Sequence, residues 1–222
     1  MWHAVKKLKQ MKKETIKTLF LDIGGVLLTN GWDREEREMA VAQFNLYGEE
    51  VNKRHQGVFS VYEEGKMTLS EYLKQVVFYE TRHFSEDDFI QFMYKQSQAY
   101  QSTIDFFKDI KKQFQLRVVA LSNEGRELND FRVKQFKLNE LFDAFVVSSS
   151  VHLRKPDLDI FRLAMDIAQT TPEHSLYFDD RPMFAQVAQT LGMHGIHYQG
   201  LESAKIQMKA YGFVLEKKLR HA

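Results

Sequence analysis

A chain of 222 residues, 44% hydrophobic, 13% aromatic and 27% charged, can bury one α/β core with a sizeable insertion, or two small cores, and its composition is not that of a disordered protein. A formal net charge of +1 offers no global field to hold nucleic acid or a membrane surface, and the lack of cysteine excludes a disulfide framework and any thiolate metal site. No run approaches ~18 apolar residues and no apolar stretch follows the lysine-rich start MWHAVKKLKQMKKETIK, so neither a bilayer span nor a secretory signal is expected and the chain reads as cytoplasmic.

Residues 1–14 read as a solvated basic extension in preference to an amphipathic surface anchor. The first strand is predicted from Thr18 to Ile23, a short continuous apolar run of the kind buried on both faces of a parallel sheet. A long polar and aromatic stretch with helical spacing follows. It holds predicted helices near Asp33 to Tyr47, Ser70 to Tyr79 and Ser85 to Tyr100, with Asp33, Ser70 and Ser85 as N-caps. Phe89, Phe92, Met93 and Tyr100 read as a core stripe. Four more strands are predicted at Leu116 to Leu121, Ala144 to Ser148, Leu176 to Phe178 and Gly195 to Tyr198. Between them lie helical patterns at Glu127 to Phe136, Leu158 to Ala168 and Pro182 to Leu191. Strand alternating with helix points to a doubly wound parallel sheet. The expectation is a Rossmann-like three-layer α/β core made of residues 15–31 and 103–222, interrupted by a helical insertion over 32–102.

Ligands of an open parallel sheet gather beyond the carboxyl ends of its strands, and the first four strands here all lead into polar residues. The first ends in Asp22 and the second in Ser122 and Asn123; Arg154 and Lys155 follow the third, and the fourth ends in Asp179, Asp180 and Arg181. Turn and cap chemistry explains any one of these. Together they set carboxylates, a hydroxyl and a lysine along one rim, which suits phosphoryl transfer through a covalent aspartyl-phosphate. Asp22 would be the nucleophile, already ionised at neutral pH. An anion attacking a dianionic phosphate is repelled, so a divalent cation is required. Asp22 with Asp180, and Asp179 beside it, supplies the hard oxygen ligands that Mg²⁺ prefers. Lys155 would neutralise the remaining charge and keep Asp22 ionised, and Ser122 and Asn123 would hydrogen-bond the phosphoryl oxygens.

In order along the chain, LFLDIGGVL, LSN, the lysine of RKPD, and YFDDR resemble the four motifs of the haloacid dehalogenase (HAD) superfamily. The stretch between the first two is similar to the helical C1 cap of subfamily I. The GGVL segment is similar to that of members that include phosphatases acting on glucose 1-phosphate. The resemblance implies that Asp22 is both nucleophile and metal ligand, that the backbone carbonyl of Gly24 is a further Mg²⁺ ligand, and that the partner is a small phosphorylated substrate such as a sugar phosphate.

One position departs from the pattern. Most phosphatases of the superfamily carry a second aspartate two residues after the nucleophile, which protonates the leaving group; Gly24 stands there instead. Acid assistance is worth roughly 10² to 10⁴ in rate, so the chemistry would slow without being lost. His55, Asp33 and Glu63, in or beside the insertion, are the side chains offered as substitutes. Two other readings stay open. A degenerate member that binds a ligand or a protein is favoured by Gly24 alone. A metal-free dehalogenase is disfavoured, because Asp179 and Asp180 opposite the nucleophile would raise its pKa without a cation. His152, His194 and His197 read as structural or surface residues, and Arg126 and Arg181 are left outside the site.

Overall fold

The five apolar runs form one parallel sheet in a computed structural model that describes residues 16–215; the basic extension expected over 1–14 lies outside the described residues. The strands are β1 (Thr18–Leu21), β2 (Arg117–Ser122), β3 (Ala144–Val147), β4 (Ser175–Asp179) and β5 (His194–His197), in the order β3-β2-β1-β4-β5. Between β1 and β2 run α1 (Arg34–Gln43), α2 (Gly48–Glu63), α3 (Leu69–Val76), α4 (Glu86–Lys95) and α5 (Gln101–Phe114). Helix α6 (Arg126–Gln135) joins β2 to β3, and α7 (Ser148–Val151) and α8 (Leu158–Ala168) join β3 to β4. Helix α9 (Pro182–Thr190) separates β4 from β5, and α10 (Leu201–Ala210) follows.

The near-continuous apolar character of β1 has a direct cause. Leu19 and Leu21 face one side of the sheet with Val118, Ala120, Leu176 and Phe178, where α5 and α10 pack through Phe107, Ile110, Ala204 and Met208. Phe20 faces the other side with Val119, Leu121 and Tyr177, where α8 and α9 pack through Ile160, Phe161, Ala164 and Ala188. With both faces covered, the expected three-layer α/β architecture is present. Each fully buried Leu or Phe contributes on the order of 1.5–3 kcal/mol.

Helices α1 to α4 enclose a separate apolar cluster that includes Phe44, Tyr72, Leu73, Phe89, Phe92 and Met93. Tyr100, expected in the same stripe, is 43% exposed. It lies beyond the end of α4, at the N-cap of α5. Ser70 is not an N-cap: Thr68 caps α3, its side chain accepting from the Glu71 N–H while Glu71 reaches back to the Thr68 N–H. Helix α2 falls where no helix was predicted. It begins at Tyr47 without a side-chain cap and contains Gly48 and Gly57, so burial of Val51 and Tyr62 prevails over poor local signals. The first strand stops at Leu21, because the Leu27 and Leu28 N–H groups both bond the Ile23 carbonyl and turn the chain away. His194 and His197 are the first and last residues of β5.

The chain enters and leaves α1 to α4 along one seam, where Leu28 bridges Ala99 and the Thr29 N–H donates to the Gln98 carbonyl at 2.9 Å. On the far side, the Leu69 N–H donates to Glu127 Oε1 at 3.0 Å and the Ser148 hydroxyl donates to the Glu63 carbonyl at 2.6 Å. These ties hold the four helices over the loops that follow β2 and β3. Among the described residues no helix is long and apolar enough to cross a membrane.

Candidate active site

Asp22 keeps strand register by one more bond, its N–H donating to the Phe178 carbonyl at 3.0 Å. Its side chain is thereby fixed at the carboxyl edge of the sheet, only 7% exposed. Asp22 Oδ1 accepts from the Ile23 N–H at 2.8 Å, and Lys155 Nζ lies 3.0 Å from Oδ2. The same ammonium donates to Asp179 Oδ2 at 2.7 Å and to the Tyr177 hydroxyl at 3.1 Å, and the Tyr177 hydroxyl donates in turn to Asp179 Oδ2. Asp179 Oδ1 accepts the Arg181 N–H at 2.8 Å, so both of its oxygens are engaged within the protein. Asn123 grips the loop that carries Lys155. Its amide donates to the Lys155 carbonyl and accepts from the Lys155 N–H, both at 2.8 Å. One Asn123 N–H remains for other use.

Carboxylate oxygens of Asp22, Asp179 and Asp180 all lie within 4.8 Å of one another. Burial raises the Asp22 pKa to about 7; Lys155 pulls it down, while Asp179 and Asp180 push it up. Asp180 is also raised, first by burial and then by Asp179. Burial works against the Lys155 charge, but Asp179 and Asp22 outweigh it and hold the lysine above its ordinary value. Three carboxylates against one ammonium leave an excess of negative charge. An all-oxygen donor set with that excess fits a hard divalent cation such as Mg²⁺.

The two glycines after Ile23 serve different ends. Gly25 has φ +68°, and a β-carbon on it would stand 2.2 Å from the Asp180 carboxyl carbon, so only glycine lets Asp180 reach the site. Gly24 is not in the left-handed region, and its β-carbon would meet Asn30 Oδ1 at 3.0 Å. Asn30 lies near enough to Asp180 to lower its pKa in part and fills the space where a side chain at position 24 would extend.

These groups open into a cavity of about 450 Å³, with Trp32, Arg37 and His55 contributed by the helical insertion and Asn30, Ser122 and Glu124 by the sheet side. Ser122 is buried at the end of β2 and lines this cavity, as does Asn123. A wider groove of about 790 Å³ around Lys108, Lys111 and Arg117 lies near the amino end of β2, away from all of these groups.

The structure brings the three substitute acids to the same cavity, each already committed. Asp33 pairs with Arg181 at 2.8 Å and Glu63 with Arg154 at 2.6 Å. Burial pushes His55 down to about 4, which leaves it neutral. Arg181, set aside on sequence, lines the cavity, whereas Arg126 donates to the Ser149 carbonyl outside it. His152, His194 and His197 each bond a backbone carbonyl, as structural residues do.

Several residues of the cavity were not anticipated, among them Asn30, Arg37, Glu124 and Arg132. Arg132 is 1% exposed and donates to Glu124 Oε2 at 2.6 Å, to Ser97 Oγ at 3.0 Å and to the Thr29 carbonyl. Burial raises Glu124 to about 7 in spite of Arg132, with Glu63 and Asp22 adding to the rise. The position of Glu124, immediately after the Ser122–Asn123 pair, was the one sequence signal available.

Residues 16–192 match a family model described as haloacid dehalogenase-like hydrolase. A curated relative, the phosphorylated carbohydrates phosphatase of Thermotoga maritima, is 24% identical over 214 residues, which are 91% of this chain and 94% of the relative. A HAD family enzyme of Bacteroides thetaiotaomicron, crystallised in complex with magnesium and inorganic phosphate, superposes with a TM-score of 0.68 at 24% identity, covering 80% of this chain and 91% of that one. The L-2-haloacid dehalogenase of Xanthobacter autotrophicus gives a TM-score of 0.60 at 15% identity, covering 91% of this chain and 85% of that one. Both structural likenesses are likenesses of fold.

Proposed function

Because the chain belongs to the haloacid dehalogenase-like hydrolases, we propose that it is a Mg²⁺-dependent phosphatase that hydrolyses a small phosphorylated metabolite, such as a sugar phosphate, through an aspartyl-phosphate on Asp22. The observation that carries this reading is the convergence of Asp22, Asp179 and Asp180 within 4.8 Å around one buried lysine. A metal-free dehalogenase would gain nothing from that arrangement, since burial and the two neighbouring carboxylates hold Asp22 near pH 7 and weaken it as a nucleophile. The name of the Thermotoga relative, and the magnesium and inorganic phosphate in the Bacteroides complex, agree with the phosphatase reading.

Asp22 and Asp180 would hold the ion, with the Gly24 carbonyl completing the protein's share. Mg²⁺, when bound, supplies the screening that lets an anionic nucleophile approach a dianionic phosphoryl group. An Asp22 carboxylate oxygen then forms a bond to phosphorus as the ester oxygen leaves with its electron pair. Water attacks the phosphorus of the aspartyl-phosphate next, which releases inorganic phosphate and restores Asp22. Lys155 opposes the rise in the Asp22 pKa without cancelling it, so the bound cation would complete the ionisation of Asp22, and the ammonium faces the developing negative charge. Asp179, with both oxygens engaged, holds Lys155 in place. Ser122 and the remaining Asn123 N–H serve the phosphoryl oxygens.

In this reading residues 32–102 act as a C1-type cap on the core expected over 15–31 and 103–222, and the resemblance of the GGVL segment supports grouping the chain with the glucose-1-phosphatase-like members. With no aspartate at position 24 and with Asp33, Glu63 and His55 all committed, the leaving group departs without a dedicated acid. The test is a phosphate-release screen over sugar, acyl and aryl phosphates. Release that requires Mg²⁺ and stops with a chelator is expected; release from none of them would favour the ligand-binding alternative.

A further inference from the structure

The cations of the cavity are not equivalent. Lys155 pairs with Asp22 and Asp179, Arg132 with Glu124, Arg154 with Glu63 and Arg181 with Asp33. Arg37, on α1, lines the same cavity but has no carboxylate partner among the described residues. Its Nε is buried with no hydrogen-bond partner, and its one side-chain bond, from Nη1 to the Trp32 carbonyl, is long at 3.4 Å. Arg37 is only partly buried, so water can serve its Nη groups, but its buried Nε is a donor left without a partner.

A second donor lies beside it. Trp32 Nε1 donates to the Tyr72 hydroxyl at 2.9 Å, and that hydroxyl lies 2.7 Å from His55 Nδ1. Tyr72 is fully buried, and among the described residues its hydroxyl has no other acceptor for its proton, so the proton points to Nδ1. The neutral imidazole therefore carries its own hydrogen on Nε2. Burial disfavours a charge on both His55 and Tyr72, and Arg37 sits close enough to add to that on the histidine and to oppose it in part on the tyrosine. This part of the cavity lining thus offers donors and a cation without a partner, beside Asp33 and Glu63, which are already paired with Arg181 and Arg154.

We propose that Arg37, assisted by His55 Nε2–H, is a specificity residue that receives a second anionic group of the substrate, a carboxylate or a further phosphate, remote from the phosphoryl group that is transferred. This rests on the phosphatase reading for the site as a whole. Such a group would give Arg37 the charge-assisted partner it lacks, whereas a neutral hydroxyl in the same place leaves its charge unbalanced. The substrates favoured are therefore phosphorylated sugars or sugar acids that carry two acidic groups.

The test uses three matched probes: a hexose 1-phosphate, its 1,6-bisphosphate, and the hexuronic acid 1-phosphate. Their dissociation constants are measured by calorimetry at saturating Mg²⁺ on the full-length Asp22→Asn protein, in which turnover is expected to be lost. One or both of the doubly acidic probes should bind about tenfold to a hundredfold more tightly than the monophosphate. Which of them does so tells a carboxylate from a phosphate. Adding Arg37→Gln should abolish the difference, and Arg37→Lys should retain most of it. Equal binding of all three probes, or a preference that survives Arg37→Gln, would overturn the proposal, and the comparison of probes decides the matter even if the Gln variant does not fold. Turnover of an aryl phosphate by the wild type with Mg²⁺ is measured separately, so that a failure of the phosphatase reading is told apart from a failure of this one.

Discussion

The Asp180 carboxyl carbon lies 2.2 Å from the point where a β-carbon on Gly25 would stand. The chain that leaves β1 through Asp22 must turn sharply to leave the site open, and Gly25 turns it at φ +68° while making room for Asp180. Gly25→Ala would suffer both effects, about 1–2 kcal/mol for the left-handed backbone and a displaced Asp180 besides. Loss of most activity together with a lowered melting temperature is expected. A variant with wild-type stability and Mg²⁺ dependence would show that this contact is unimportant.

Gly24 should behave differently. Its backbone accepts a side chain, and the nearest obstacle is Asn30 Oδ1 at 3.0 Å, the end of a side chain that is able to shift. Gly24→Asp is therefore expected to fold and to install a proton donor at the vacant address. The wild-type rate should fall steeply as the leaving group becomes more basic, and Gly24→Asp should flatten that dependence by speeding alkyl phosphates more than aryl ones. A flat wild-type dependence, with phosphoryl transfer rate-limiting, would mean that the protein already has an acid.

Asp179 and Asp180 are adjacent in sequence and opposite in role. Asp180, half-buried and facing the cavity, should when changed to Ala raise the Mg²⁺ concentration needed for half-maximal activity. Asp179 is fully buried and pairs with Lys155 at 2.7 Å. Asp179→Ala should act mainly on stability, by about 3–5 kcal/mol for a broken buried ion pair. Mg²⁺ titrations and thermal melts of the two variants separate the effects; equal shifts in metal requirement would contradict the division.

The pH dependence of stability has a traceable contribution from Glu124. Its pKa in the folded protein is raised to about 7, so the folded chain retains a proton there that the unfolded chain releases near the usual glutamate value. Stability from this group is full below that ordinary value and is lost as pH rises toward 7, with a slope of at most about 1.4 kcal/mol per pH unit. Glu124→Gln should make the melting temperature less sensitive to pH between about 5 and 7. An unchanged profile would show that Arg132 keeps Glu124 ionised throughout.

Much of this arrangement was legible in the sequence, for local reasons. Helix α8 matches its prediction from Leu158 to Ala168, because Asp157 caps it and an apolar face repeats through Ile160, Phe161, Ala164 and Ala168. The rim of Asp22, Ser122, Lys155 and Asp180 followed from the rule that strand ends carry function. What was hidden depends on distant partners. Arg132 lies in the polar helix RELNDFRVKQ, and its burial is set by Glu124, Ser97 and Thr29 on three separate segments. Asn30 has meaning only once the turn brings it beside Gly24 and Asp180. Helix α2 was missed since neither its start nor its composition announces a helix, and it is held by contacts made after folding.

The covalent role of Asp22 is tested most directly by Asp22→Asn, since the amide is nearly isosteric with the carboxylate yet neither attacks phosphorus nor binds Mg²⁺ well. The measurement is phosphate release from an aryl phosphate by wild type and variant with saturating Mg²⁺, with folding confirmed for both by thermal melting. Turnover by the wild type and none by the folded variant is the expected result. Release by a folded, pure Asp22→Asn protein at a rate near that of the wild type would contradict the aspartyl-phosphate mechanism outright.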